Sequence, residues 1–233
     1  MTVVSIHQGH FLPWLGYWNK VLCSDVFVWL DTVQFRKNYF QNRVHIKDSH
    51  GERVWLTAPV TCNHGDPLLS VQIPESNWKK KVLGTLRQSY GRAPFFGDYF
   101  PGIEAVIESS GTGLDDLNFS MFRHILTLIQ GDSVQVVKGS MLAVSDEPTE
   151  RLIDYCKHYH ATVYIAGKGG ANYMRLELFE HAGIQVVWQR YHENQPEYEQ
   201  INGPFLAGLS VVDALFNVGA EKTRELITNA WKP

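Results

Sequence analysis

The sequence predicts a Rossmann-like, three-layer α/β fold: a parallel sheet with helices on both faces. Residues 1–31 have the pattern of a strand, a helix and a second strand. The second strand, at 26–30, is apolar throughout, which is typical of a strand covered on both faces of a parallel sheet. Short apolar strands and amphipathic helices then alternate over 134–188, which favours the same class of fold.

In this first unit the predicted elements are a strand at 3–6, a helix near 14–23 and a strand at 26–30. Residues 32–75 then interrupt the alternation. Two extended runs, at 44–47 and 54–60, flank a turn-forming Asp48-Ser49-His50-Gly51 segment, which predicts a β-hairpin. We therefore expect a hairpin insertion at the carboxyl end of the second strand.

The rest of the chain is predicted to be mainly helical. Helices are expected at 77–90, 114–130, 147–158 and 172–181, and strands at 134–137, 162–165 and 186–188. Residues 190–233 are predicted to form a helical C-terminal cover, with helices at 210–217 and 221–231 separated by Gly219. Ser210 and Asp213 have the spacing of a capping box. We treat residues 1–233 as one domain that carries the 32–75 insertion.

Composition excludes several classes of protein. Lys and Arg number 21 against 24 Asp and Glu, so the chain lacks the basic excess of a general nucleic-acid binder. No apolar run approaches the ~20 residues of a membrane span, and the N-terminus has no pattern of a secretory signal. The three cysteines form no C-x-x-C pair, and no residues have convincing metal-ligand spacing. We expect a soluble cytoplasmic protein without a bound metal.

The first candidate site follows the first strand, where the chain reads His7-Gln8-Gly9-His10. A polar turn between a strand and a helix lies where open α/β sheets bind their ligands. The H-x-G-H pattern is also used by nucleotidylyltransferase-like proteins to hold a triphosphate, whereas the alternative is a turn whose histidines cap the helix. We predict His7 as a catalytic base and Gln8, His10, Trp14 and Tyr17 as substrate-binding residues.

A second candidate is the turn Gly167-Lys168-Gly169-Gly170, between a predicted strand and a helix. Glycines permit a close backbone approach, and a helix N-terminus favours an anion. The spacing is not that of a Walker A loop, and a flexible connection is the alternative. A parallel sheet would place this turn on the same edge as His7, so we predict phosphate or carboxylate binding there, with Tyr173 shaping the pocket.

The third candidate is the segment 31–43, which begins with an acid at the end of a buried strand. Asp31 is placed to act as a base or to orient a substrate. Lys37 and Arg43 are candidates to hold phosphate, and Gln34 lies among aromatic residues that suit a sugar or a nucleotide. An exposed loop with ordinary surface charges is the alternative.

Taken together, these residues resemble the WbqC-like proteins over nearly the full chain. The matching pieces are His7-Gln8, 13–17, 24–28, Leu30-Asp31, 33–35, 41–43, Trp55-Leu56, Pro59-Val60, Tyr164, Gly167, Tyr198, Gln200, 209–217 and Gly219. The family pattern has Pro and Asn where this chain has Gly9 and His10, so the H-x-G-H spacing is not part of the resemblance. Family genes often lie near O-antigen and other polysaccharide genes, which implies modification of a sugar.

The resemblance and the candidate residues lead to one main hypothesis. It is a transferase of bacterial surface-polysaccharide biosynthesis that forms an amide by acyl or aminoacyl transfer to an amino sugar carried on a nucleotide or lipid. An acyl thioester, or ATP with Mg²⁺, would serve as the donor. The alternatives are an ATP-dependent nucleotidylyl or adenylyl transferase, and a non-catalytic protein that binds a nucleotide sugar or scaffolds other enzymes. In each case the partner is a small-molecule glycan precursor.

Overall fold

The fold is described from a computed structural model of all 233 residues. The strands are β1 (Val3–Gln8), β2 (Val26–Leu30), β3 (Arg43–Lys47), β4 (Arg53–Thr57), β5 (Gln135–Lys138), β6 (Val163–Ala166) and β7 (Gln185–Trp188). The helices are α1 (Leu15–Leu22), α2 (Trp78–Tyr90), α3 (Phe96–Ser109), α4 (Leu114–Leu128), α5 (Pro148–His158), α6 (Leu176–His181) and α7 (Val211–Asn229).

Five strands form one parallel sheet in the order β5-β2-β1-β6-β7, which confirms the predicted Rossmann-like class. One face of the sheet presents Phe27 and Trp29 to α1 and α4 in a core cluster of 41 buried residues. The other face presents Val4 and Ile6 to α5 and α6 in a cluster of 14 buried residues. The strands are apolar on both sides because helices cover both faces.

The order of the strands reverses at β1, and we call the region between the carboxyl ends of β1 and β6 the crevice. The chain proceeds from β1 outwards to β2 and β5, and then crosses back to β6 and β7 on the other side. The ladder between β1 and β2 continues to the pair Gln8–Leu30, whereas that between β1 and β6 ends at Ser5–Ile165. The carboxyl ends of β1 and β6 therefore part, at the point where open α/β sheets bind ligands.

The predicted hairpin follows β2 as an antiparallel pair of β3 and β4, in which His45 lies opposite Trp55. Alternate residues of the hairpin face the core, so Val44, Ile46 and Leu56 are buried while Trp55 is exposed. The hairpin therefore belongs to the main core on one side and leaves its other side open.

Helix α3 was missed from the sequence, because Gly97, Pro101 and Gly102 are poor helix formers. Its Phe100, Ile103 and Ile107 are nevertheless buried in the main core, and burial outweighs the low intrinsic propensity. The break in α7 was anticipated, because Gly219 adopts a positive φ of 78° inside the helix and divides it in two. A positive φ is a conformation that glycine adopts most readily.

The start of α7 holds the hairpin through a buried carboxylate, and this corrects the predicted capping box. Ser210 caps the helix by accepting a hydrogen bond from the Val212 amide. Asp213 does not reach back to Ser210, because its two oxygens accept hydrogen bonds from Tyr90 Oη at 2.8 Å and Tyr198 Oη at 2.7 Å. Tyr90 Oη also accepts a hydrogen bond of 2.9 Å from the backbone amide of Lys47, so one network joins α2, α7 and β3.

We expect Asp213→Ala to lower the free energy of unfolding by about 2–4 kcal/mol, because the buried Tyr90 hydroxyl and the partly buried Tyr198 hydroxyl lose their acceptor. Urea denaturation measures the loss. Asp146→Ala is the matched control, since Asp146 is fully exposed and its removal should change stability by no more than about 0.5 kcal/mol. Equal effects of the two substitutions would contradict the structural role of Asp213.

Candidate functional site

A cage of three rings lies at the carboxyl end of β1. His7 is the penultimate residue of β1, His10 is in the loop that follows, and Tyr17 is in the first turn of α1. The ring centroids are 4.7 Å apart for His7 and His10, 4.6 Å for His7 and Tyr17, and 5.3 Å for His10 and Tyr17. The predicted residues of the first loop therefore meet in one place.

Lys20 reaches the crevice from α1, three residues after Tyr17 and so on the same face of the helix. The residue is 2% exposed, and its Nζ donates a hydrogen bond of 2.9 Å to the carbonyl of Ile6, just beyond the point where β1 and β6 part. A methyl group placed on Gly167 would lie 3.8 Å from Nζ, so the amine also borders the turn after β6.

The Lys20 amine has no carboxylate partner within ion-pair distance. Burial disfavours the charged form, and this lowers the pKa of Lys20 to about 7. Sequence reasoning missed this residue. The only signal was the position of the lysine in a short predicted helix, three residues after Tyr17 and directly before the apolar pair Val21-Leu22.

His7 is neutral in this setting. Desolvation, and then the nearby charge of Lys20, lower the pKa of His7 to about 3. Its Nδ1 lies 3.0 Å from the Gln8 carbonyl, which can only accept a hydrogen bond, so Nδ1 carries the proton and Nε2 carries the lone pair. Part of the residue remains exposed, and the imidazole is therefore an available proton acceptor at Nε2.

His10 is 6% exposed, and neither of its ring nitrogens has a hydrogen-bond partner in the protein. Its ring is stacked on Phe40, with centroids 5.8 Å apart, and burial, followed by the neighbouring His7 imidazole and the Lys20 amine, holds the pKa of His10 well below its usual value. A buried polar group without a partner costs about 1–3 kcal/mol, so the fold keeps His10 in the cage at an energetic cost.

Gln8 connects the cage to the insertion. Tyr17 Oη donates to the Gln8 carbonyl at 3.2 Å, and the Gln8 side-chain oxygen accepts from Gln41 Nε2 at 3.0 Å. Gln41 is fully buried, and its own oxygen accepts the Arg36 amide at 2.6 Å. Gln8 therefore fixes the position of residues 36–41 relative to the crevice.

The second glycine turn lies on the predicted edge, and only its first residue borders Lys20. Lys168 and Gly169 are exposed on a short 3-10 turn that runs from Lys168 to Asn172. Tyr173 is 51% exposed, and its carbonyl lies 3.5 Å from Thr149 Oγ1 at the start of α5. Tyr173 is thus on the α5 side of the turn.

Asp31 is directed away from the cage. Its two oxygens accept hydrogen bonds from the Ser140 amide at 2.8 Å and the Ser140 hydroxyl at 2.6 Å, so the carboxylate holds the turn after β5. Nearby, Asp115 is bound by Trp29 Nε1 at 2.7 Å and by Lys138 Nζ at 2.9 Å. The sequence left His7 and Asp31 as alternative candidates for the base; in the structure both oxygens of Asp31 are engaged by Ser140, whereas the His7 imidazole lies in the cage.

The remaining predicted residues are dispersed around the site. Trp14 covers Gly16, and its ring lies 5.6 Å from that of Tyr191 rather than in the cage. Gln34 and Lys37 are exposed on the insertion. Arg43 lies on the hairpin, where its guanidinium carbon is 3.9 Å from the ring of Trp55. None of these four residues is hydrogen-bonded to His7.

Other surface features lie away from this chemistry. A cavity of about 460 Å³ is lined by residues of α6 and β7, among them Phe179 and Trp188, at the far edge of the sheet. It contains no histidine or lysine, so we base the candidate site on the crevice. No three His, Cys, Asp or Glu side chains converge as metal ligands would. None of the helices has the length and hydropathy that crossing a bilayer requires.

Comparison with known proteins agrees with the resemblance seen in the sequence. Among curated proteins, the chain is similar to the uncharacterized protein Rv1507c of Mycobacterium tuberculosis, with 30% identity over 224 residues that cover 95% of this chain and 96% of that protein. No solved structure matches the chain. The model of the WbqC-like protein family matches residues 8–225, from the first residue after His7 to the second half of α7. This chain belongs to the WbqC-like protein family.

Proposed function

We propose that the chain is a cytoplasmic transferase of surface-polysaccharide biosynthesis. It would form an amide by acyl or aminoacyl transfer to an amino sugar that is carried on a diphosphate. The choice of an amino sugar as substrate and of acyl transfer as the reaction rests on what the family resemblance implies. The diphosphate and the placement of the reaction in the crevice are supported by the chemistry of the cage.

The observation that carries the proposal is the Lys20 amine, buried without a carboxylate between the parted ends of β1 and β6. A buried cation without a counter-ion is costly, and an anionic ligand would remove that cost. The amine borders Gly167 on one side and β1 on the other, at the position where related sheets bind phosphorylated ligands. The negative charge of a diphosphate carrier would compensate the positive charge of the Lys20 amine.

His7 suits the proton transfer that amide formation requires. The amine of the sugar attacks the carbonyl carbon of an acyl thioester, a C–N bond forms, and the C–S bond breaks. The proton lost by the amine passes to His7 Nε2 and then to the departing thiolate, so that an amide and a thiol result. A phosphate anion beside Lys20 would cancel the charge that helps to lower the pKa of His7, so ligand binding would make the imidazole a better base.

This scheme needs no covalent intermediate on the enzyme. An unprotonated amine is already a nucleophile, and holding it beside an activated acyl group lowers the entropic part of the barrier. The buried Cys156, whose pKa burial raises to about 12, is unsuited to act as a thiolate. We therefore assign the cage to positioning and to one proton transfer.

The reaction is tested by incubating the protein with a UDP-linked amino sugar and either acetyl coenzyme A or an aminoacyl thioester. Mass spectrometry should detect the amide, together with one equivalent of free thiol. Release of pyrophosphate from ATP in place of this product would identify a nucleotidylyl transferase. Tight binding of UDP without product from any donor would identify a binding protein.

We expect UDP to bind more weakly as the pH rises from 7 to 9. Above the Lys20 pKa of about 7 the protonated fraction of the free site falls about tenfold per pH unit. Over this range the charge of the phosphates no longer changes, because their last pKa is about 6. Isothermal titration calorimetry at several pH values measures the trend.

Variants of Lys20 provide the controls for this titration. Lys20→Met should weaken UDP binding about 10- to 100-fold at pH 7 and remove the pH dependence, because a charge-assisted hydrogen bond is lost. Lys20→Arg should bind UDP with little change between pH 7 and 9, since a guanidinium stays protonated. The exposed Lys80→Met should behave as the wild type. Identical pH profiles for all four proteins would refute the role of Lys20.

We also expect Lys20→Met to be more stable than the wild type at pH 6, by about 1–4 kcal/mol, because an uncompensated buried charge is replaced by an apolar chain. The folded-state pKa of Lys20 lies below that of the unfolded chain, so the cost of the charge is complete below pH 7. It declines as the pH rises from 7 towards about 10. Urea denaturation at pH 6 and pH 9 should show this difference shrinking, whereas a difference that grows with pH would contradict it.

For catalysis, His7→Ala should lower kcat about 10²- to 10⁴-fold while the dissociation constant of UDP changes little, because the proton acceptor is lost and the cation is retained. Asp31→Asn, shown to be folded by its urea transition, is the comparison, and we expect it to keep most of the activity. Undiminished turnover by His7→Ala would exclude the imidazole as the base.

A further inference from the structure

The open side of the hairpin carries a cluster of stacked side chains, which we name the Trp55 platform and define as Phe40, Arg43, His45 and Trp55. His45 and Trp55 are opposite each other on β3 and β4, with ring centroids 3.6 Å apart. The Arg43 guanidinium carbon lies 3.9 Å from the centre of the Trp55 ring. Phe40 completes the cluster, with its ring 5.8 Å from that of Trp55.

The platform remains accessible although it contains large aromatic rings. Trp55 is 40% exposed, and the adjoining Tyr39 is 38% exposed. The pleat of β4 explains this exposure, because Leu56 faces the core while Trp55 faces outwards. The contacts with His45 and Arg43 position the indole, and part of the ring remains accessible.

The platform is continuous with the crevice through Phe40. The Phe40 ring is 5.8 Å from the His10 ring in the cage and 5.8 Å from the Trp55 ring on the hairpin. The Phe40 carbonyl accepts the Phe11 amide at 3.0 Å, which ties this residue to the loop after β1. His10, Phe40 and Trp55 therefore form a continuous series of neighbouring rings that runs from the cage to the hairpin.

The charge around the platform favours a nucleotide. Residues 33–47 and 53–60 contain no Asp or Glu, whereas they include exposed Arg36, Lys37 and Arg53 besides Arg43. Arg53 and Arg43, after desolvation, also lower the pKa of His45, which therefore presents a neutral ring. Carboxylates, which accept hydrogen bonds from sugar hydroxyls, are missing from these segments, whereas aromatic and guanidinium planes stack well on bases.

We propose that the Trp55 platform binds the base of a nucleoside diphosphate whose phosphates lie at Lys20. This inference rests on the proposed function and makes it more specific, because the sugar carrier becomes a nucleotide rather than a lipid. The base stacks on the indole beside Arg43, and the ribose and diphosphate follow Phe40 and His10 into the crevice. Stacking tolerates different bases, so Trp55 supplies affinity and not the choice of base.

The experiment compares UDP, ADP and pyrophosphate as ligands of the wild type, Trp55→Ala and Trp55→Phe by isothermal titration calorimetry. We expect Trp55→Ala to weaken UDP and ADP about 5- to 100-fold, the range of a lost base–aromatic stack, and to change pyrophosphate binding less than twofold. Trp55→Phe should retain most of the affinity for both nucleotides. Leu176→Ala, at an exposed apolar residue on α6, is the matched control and should change none of the three affinities.

The possible outcomes separate this inference from the proposed function. If Trp55→Ala binds UDP and ADP as the wild type does while Lys20→Met weakens them, the platform is refuted and the anion site stands. If the wild type binds neither the nucleotides nor pyrophosphate, the proposed function fails as well. Farnesyl diphosphate tests the alternative of a lipid carrier. If it binds more tightly than UDP and its affinity falls in Trp55→Ala, the carrier is a lipid and the proposal of a nucleotide is refuted. A cooperative urea transition first shows that Trp55→Ala and Trp55→Phe are folded.

Discussion

The hydrogen bond from the Lys20 amine to the Ile6 carbonyl is the contact on which the candidate site depends. It places a cation inside the sheet edge where the ladder between β1 and β6 has already ended. Without this bond the buried amine would have no hydrogen-bond partner in the protein, and only the Tyr164 ring, with its centroid 6.0 Å away, would face it. Burial is the main reason why the pKa values of His7 and His10 are lowered, and the charge of Lys20 adds to that effect at both rings.

Two sets of hydrogen bonds fix the position of the hairpin relative to the cage. Gln8 and Gln41 join the end of β1 to the insertion, and the Asp213 carboxylate joins α2, α7 and the segment that carries Tyr198. The polar groups of the C-terminal region therefore have a structural role, because they hydrogen-bond to the elements that support the hairpin. Asn19 of α1 adds a further tie, donating to the carbonyls of Ile227 at 2.7 Å and Trp231 at 2.9 Å. A preorganised cage on such a scaffold is what positioning catalysis requires.

Local patterns predicted most elements but not all. The strand–helix–strand start, the hairpin and the division of α7 at Gly219 were visible because periodicity and a positive-φ glycine are local properties. Helix α3 was hidden because its glycines and Pro101 argue against a helix, and only burial of Phe100 and Ile103 stabilises it. Asp31 was correctly placed at a strand end, but the side to which its carboxylate turns depends on Ser140, which is 109 residues away.

The sequence by itself determined the class of fold, the family and the sheet edge at which His7 and Gly167 both lie, because parallel strands carry their following loops to one edge. Only the tertiary structure decided that Lys20 is buried without a counter-charge and that Trp55 lies open beside Phe40. The reason is physical. Whether a side chain is desolvated, and which groups surround it, depends on segments far away in the chain, and no local spacing of residues records that environment.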